Sequence, residues 1–292
     1  MSEFLEALAH QPLIQVAVAA GVLASVACGV VGTYVVVRRI TYLAGGIAHC
    51  VLGGMGAAVY LQKVHGIAFA TPFLGALVAA LAAAAIMGVV SLRFRQREDT
   101  VISALWAVGM AAGVLFIAKT PGYQQDLMSY LFGDILVVSR ADLWLMCGLD
   151  ALVVVVSAVF YKQLLAVCFD EEFARTRGLN VEAYYLLLLG LTALTVVLLV
   201  MIVGIVMVIA LLSLPVAVAG LLARRLWQMM LLAAGLSMVF TTLGLAVSYQ
   251  QDLPAGAVII VLAAGAYLLA LIGKAVWSRR RTLAAKPTPP LT

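Results

Sequence analysis

Runs of apolar residues, each about 18 to 25 long, recur along the whole chain with short polar joints between them. A run of that length crosses a hydrocarbon core of about 30 Å as a helix. Within lipid a helix satisfies its own backbone N–H and C=O groups, and the only other backbone that does so is a closed barrel. These runs are uniformly apolar rather than alternating, which excludes the barrel. The composition agrees: 65% of the 292 residues are hydrophobic and 11% are charged, against roughly a quarter charged in a soluble domain. The fold class expected is an all-α membrane protein, a polytopic bundle of eight to nine transmembrane helices.

The spans read as Leu13–Val37, Tyr42–Leu61, Phe69–Leu92, Val101–Ala118, Leu143–Tyr161, Met229–Val247 and Ala255–Trp277, together with a long run from Ala183 to Leu214. That last run exceeds one upright crossing and holds Gly204 near its middle, so it reads as two helices meeting there. Basic residues set the orientation. With the N-terminus outside, 15 of the 18 Lys and Arg fall on inner joints and only Lys63, Lys119 and Arg140 fall outside. An N-out, C-in chain needs an odd number of crossings, which favours nine.

A single membrane domain over 1–278 is expected, then a basic, Pro-rich cytoplasmic tail over 279–292, disordered and solvated. The segment before Leu13 carries Glu3 and Glu6 and no basic n-region, so no cleavable signal is expected and the first run is retained. The four cysteines, Cys28, Cys50, Cys147 and Cys168, are scattered without CxxC spacing and read as small buried hydrophobes. The net charge of +5 belongs to the inner joints, so membrane lipid and not nucleic acid is the expected surrounding.

Two inner joints are more than linkers. Phe169 to Asn180, with Asp170, Glu171 and Glu172 among its charges, reads as a short charged helix ending at Gly178, a C-cap. Leu212 to Arg225 holds Pro215, expected to turn the chain at a helix entry, and then small residues including Ala219 before Arg224 and Arg225. A short helix with an Ala/Gly face suits docking into a partner's groove. An ordinary kinked helix end followed by a loop fits the same residues. Inside the apolar runs, His49 and Asp150 stand out, because ionisable groups there are costly and mark pathways by default. Imidazole is a natural ligand for a borderline divalent ion. A core histidine bonded to a carbonyl, and an aspartate bonded to a neighbouring helix, are the plainer alternatives.

From about Gly29 to Gly273 the sequence resembles the permease subunits of the zinc/manganese/iron family of ABC importers. The resemblance rests on Gly32-Thr33-Tyr34-Val35-Val36-Val37-Arg38-Arg39 with Ala48-His49 and Gly53-Gly54-Met55-Gly56, on Tyr130-Leu131-Phe132-Gly133-Asp134-Ile135-Leu136, and on Phe169-Asp170 to Gly178. It rests also on Leu214-Pro215-Val216-Ala217-Val218-Ala219 with Ser248 and Asp252-Leu253-Pro254-Ala255-Gly256. It implies a type II ABC-importer permease-like fold in the inner membrane and a homodimer with its path at the dimer axis. The expected partners are cytoplasmic ATP-binding subunits and a periplasmic or lipoprotein metal-binding protein. ATP would bind in the partner subunit, since this chain lacks G-x-x-x-x-G-K-[ST]. No cofactor and no catalytic residue is expected here, and the divalent metal ion is cargo.

In this reading the coupling helix spans about 213–227, and Pro215, Ala219, Arg224, Arg225, Asp170 and Gly178 serve coupling to the ATPase. His49 is the metal residue, with Asp150 a candidate replacement ligand. The family commonly has an Asp one turn before this histidine, where this chain has Gly45. Loss of a carboxylate favours zinc over manganese or iron. A metal-chelate importer of the siderophore or cobalamin kind and a secondary metal transporter acting alone are the rivals. An intramembrane enzyme finds no paired histidines or aspartates at helical spacing.

Overall fold

The computed structural model describes residues 2–94, 98–121, 133, 138–251 and 253–284, and every regular element among them is an α-helix. In chain order these are α1 (Ser2–His10), α2 (Pro12–Val37), α3 (Thr41–Val64), α4 (Pro72–Arg93), α5 (Glu98–Lys119) and α6 (Arg140–Val159). There follow α7 (Tyr161–Phe169), α8 (Glu171–Thr176), α9 (Val181–Val203), α10 (Ile205–Leu222), α11 (Leu226–Gln251) and α12 (Ala255–Ala284). Among the described residues nine helices are long and apolar enough to cross a membrane: α2 to α6 and α9 to α12. The larger of the two expected counts is therefore the one observed. Asp126, Asp252 and, apart from Gly133, the Tyr130–Leu136 motif lie outside the described residues, as does 285–292.

Local chemistry explains where the helices begin. Thr71 caps α4 by accepting the Leu74 N–H at 3.3 Å, with Pro72 in the first turn. Ser139 and Asp142 form a reciprocal capping box at the start of α6. The long apolar run breaks at Gly204, as its glycine indicated. There φ is +77° and ψ 163°, a region essentially restricted to glycine.

Two expectations are corrected. Pro215 does not open a helix. It lies buried inside α10, which continues to Leu222, so 213–227 is the second half of a membrane span, a short turn and the first two residues of α11, not a separate docking helix. Residues 279–284 belong to α12 rather than to a disordered tail, because neither Gly nor Pro stands between Gly273 and Pro287 to stop the helix.

In lipid, helices associate through packing rather than water exclusion, so small residues decide how closely they approach. α9 lies at the centre, against α2, α3, α4, α6 and α10, while α3 is clasped between α4 and α5. A Cβ on Gly54 of α3 would collide with the backbone of Gly75 in α4, and one on Gly53 would lie 2.8 Å from the Gly109 carbonyl of α5. The outer helices turn large side chains such as Leu115, Trp144, Val261 and Leu269 outward. Gly54→Val is expected to force α3 from α4, at roughly 1–3 kcal/mol or more for overpacking. Loss of the monodisperse peak in detergent would register this, and an unchanged profile would contradict it.

Candidate functional site

His49 sits mid-way along α3 and is buried. Its imidazole stacks on the indole of Trp106 in α5, with ring centroids 4.1 Å apart and planes 19° apart. Nδ1 has no hydrogen-bond partner among the described residues. One turn earlier, a Cβ on Gly45 would lie 3.2 Å from the edge of the same indole and 3.6 Å from Ile209 of α10. Tyr42, on the same face, approaches Trp106 at 6.0 Å and hydrogen-bonds Ser103 of α5. Cys50 is taken up by packing, its thiol donating to the Leu105 carbonyl at 3.3 Å, and Met55 is core.

Asp150 is also buried, on α6, and neither carboxylate oxygen has a partner among the described residues. Its surroundings differ, however. α6 packs chiefly on α2 and α9, and the Cys28 thiol of α2 is within electrostatic reach of the carboxylate. His49 and Asp150 thus occupy different helix seams, and the expectation that Asp150 supplies a missing ligand beside His49 is not met. Among the described residues no three His, Cys, Asp or Glu side chains gather as a metal cage. An imidazole whose ring nitrogen lacks a partner can donate a lone pair to a divalent ion.

At the basic end of the bundle, α7 and α8 form an elbow outside the nine spans. Asp170 caps α8 by accepting the Phe173 N–H at 2.9 Å. Gly178, at φ +75°, ends it: its N–H donates to the Arg175 carbonyl at 3.0 Å and the Leu179 N–H to Ala174 at 3.1 Å, a Schellman closure. Phe169 and Phe173 stay exposed on this elbow. The Arg38 guanidinium, in the turn between α2 and α3, makes an ion pair with Glu171 and lies over the Tyr185 ring at 5.4 Å. Tyr185 donates onward to Ser91 of α4 at 3.0 Å. Burial pushes the Cys168 thiol up to about 11, with Arg38 pulling the other way. Arg39 beside it holds φ +63°, uncommon for a non-glycine residue.

The other expected coupling residues divide. Pro215 and Ala219 are buried within α10, while Arg224 and Arg225 are exposed in the turn that follows. Trp106 and the Arg38–Glu171 pair were not anticipated. Helical periodicity within one segment carries no signal for either.

A helical bundle of nine spans with a basic elbow is matched by one family model, described as the ABC 3 transport family, over residues 10–274. The chain belongs to that family. Among curated relatives of this ABC 3 chain, an uncharacterized membrane protein of Synechocystis sp. is 46% identical, covering 88% of this chain and 89% of its own. The manganese transport system membrane protein MntC of Halalkalibacterium halodurans is 34% identical, covering 91% and 89%. Among solved structures, PsaBC from Streptococcus pneumoniae in complex with Fab superposes with a TM-score of 0.81 at 30% identity, covering 92% of this chain and 94% of that one.

Proposed function

We propose that this ABC 3 protein is the membrane permease of an ATP-driven importer for a divalent transition-metal ion. The observation that carries the reading is His49, a buried imidazole in a membrane-spanning helix whose Nδ1 has no partner. Manganese or zinc is the cargo. The relative named as a manganese transporter supports the first. A nitrogen donor with glycine in place of a neighbouring side chain supports the second.

Hydrolysis of ATP belongs to a separate subunit, and the α7–α8 elbow is the element that docks on it. Exposed Phe169 and Phe173 give the elbow an apolar contact, and Arg177 over the Phe173 ring at 5.4 Å adds a charged edge. The exposed Arg224 and Arg225 lie at the same end of the bundle. The clustering of basic joints there supports a cytoplasmic location, an outside N-terminus and a place in the inner membrane. Two copies of the chain would frame the path, and alternating access would reorient α3 as the elbow moves. A periplasmic or lipoprotein binding protein would deliver the ion.

Uptake of radioactive manganese, zinc and iron, measured in parallel with the chain reconstituted beside its ATPase and binding protein, tests this. ATP-dependent accumulation of one of these ions is expected. Accumulation without ATP would point to a transporter acting alone. Uptake of none as a free ion would point to a chelate.

A further inference from the structure

The space one turn before His49 is where a second side chain on the same face of α3 would reach the imidazole. In this chain the position is Gly45, and the space is occupied. The edge of the Trp106 indole lies 3.2 Å from where a Cβ on Gly45 would stand, and its face lies against the His49 ring at 4.1 Å. One side chain from α5 therefore does two things at once. It fixes the plane of the imidazole, and it fills the room that a residue at position 45 would need.

Stacking leaves coordination open. A ring nitrogen binds a metal through a lone pair in the ring plane, whereas the indole covers a ring face. What the stack removes is rotation of the imidazole, and a ligand whose orientation is set binds without paying that ordering cost. Trp106 has a second aromatic neighbour on the same helix face: the Tyr42 ring packs near it, and the Tyr42 hydroxyl ties back to Ser103, three residues earlier on α5. Gly46, the next residue, faces Met87 and Ile102 instead, so of these two glycines position 45 is the one set against the indole.

We propose that Trp106 is the positioning and specificity residue of the His49 site, orienting the imidazole and excluding a second ligand from the preceding turn. This rests on His49 contacting the transported ion. The consequence is epistasis between positions 45 and 106, which share one volume. A carboxylate at position 45 crowds Trp106, whose edge would have to give way by a few tenths of an ångström to a Cβ there, and it becomes useful once the indole is gone. Oxygen donors favour manganese relative to zinc, so the combination should also change which ion is preferred.

The test uses the reconstituted complex and the initial rates of manganese and zinc uptake. Trp106→Leu should raise KM for the ion about tenfold with Vmax changed less than about threefold, the pattern of lost binding rather than lost turnover, and Trp106→Phe, which keeps a ring to stack, should stay within about threefold of the parent. Gly45→Asp alone should lower uptake about tenfold through overpacking against the indole, and Gly45→Asp with Trp106→Leu should recover most of that loss with a manganese-to-zinc preference at least about fivefold higher. An unchanged KM in Trp106→Leu, or Gly45→Asp tolerated with Trp106 in place, would overturn the proposal while a sensitive His49 kept the cargo reading intact. A His49→Gln complex with unaltered uptake would instead remove the cargo reading.

Discussion

Replacing His49 with alanine is expected to abolish metal-dependent uptake while the complex still assembles. The two halves of that expectation have separate physical grounds. Uptake should fall because, in the proposed function, His49 is the metal-ligating group, and among the described residues no group of three His, Cys, Asp or Glu side chains stands ready to take its place. Loss of a group that orients a metal ligand already costs about 10- to 100-fold, so loss of the ligand itself should cost at least as much. Assembly should survive because the folded state gives up little. The stack on Trp106 is worth about 0.5–1.5 kcal/mol, and its loss is offset by removing a buried nitrogen without a partner, itself a liability of about 1–3 kcal/mol. The glycine contacts that hold α3 against α4 lie a turn or more away and are untouched. Co-purification of the variant with its ATPase, beside radiometal uptake in proteoliposomes, separates the two effects. Uptake at the parent rate would end the assignment of His49, and failure to co-purify would make its role structural.

The spans were legible because lipid imposes a single strong rule on sequence: long apolar runs, with charge at the joints. Gly204 and Gly178 were legible for a different reason, since a backbone at φ +77° or +75° needs a residue without a Cβ. Pro215 misled because its usual place is a helix's first turn, the sole position where its missing N–H costs nothing. Within a membrane span proline is tolerated more readily, because neighbouring helices and hydroxyls can take up the freed backbone group, and Pro215 lies buried inside α10 without ending it.

The candidate site was half legible. His49 announced itself as an imidazole in an apolar run, and only the family resemblance marked Gly45 as an absence one turn before it. What fills that absence comes from another helix. Periodicity says which residues share a face but not which faces meet, so neither Trp106 nor the placement of Asp150 against α2 could be read along the chain. The short helix at 171–176 was visible through its charges and its C-cap Gly178, yet its cap at Asp170 and its tie to Arg38, more than a hundred positions away, were not.

That tie carries the second large expectation. Reversing either charge of the Arg38–Glu171 pair should uncouple the transporter, and reversing both should restore it. Arg38 stands in the turn from α2 into α3, the helix that bears His49, and Glu171 opens α8 on the elbow proposed to dock on the ATPase. The guanidinium also covers Tyr185 of α9, whose hydroxyl reaches Ser91 of α4, so a displacement of the elbow would be felt at the ends of four spans, α2, α3, α4 and α9. The pair is about three-quarters buried, where like charges repel with little screening. Arg38→Glu should therefore lower uptake about tenfold or more, since breaking one partner of such a pair leaves the other uncompensated. ATP hydrolysis by the partner should continue, because no residue of its nucleotide site is altered, and the ratio of ATP consumed to metal moved should rise. The doubly reversed Arg38→Glu, Glu171→Arg protein should return most of the uptake, a coupling that a double-mutant cycle measures directly. Uptake in the double variant no better than in the worse single one would show that the pair merely braces the elbow. Full uptake in both single variants would show that motion reaches α3 by another route.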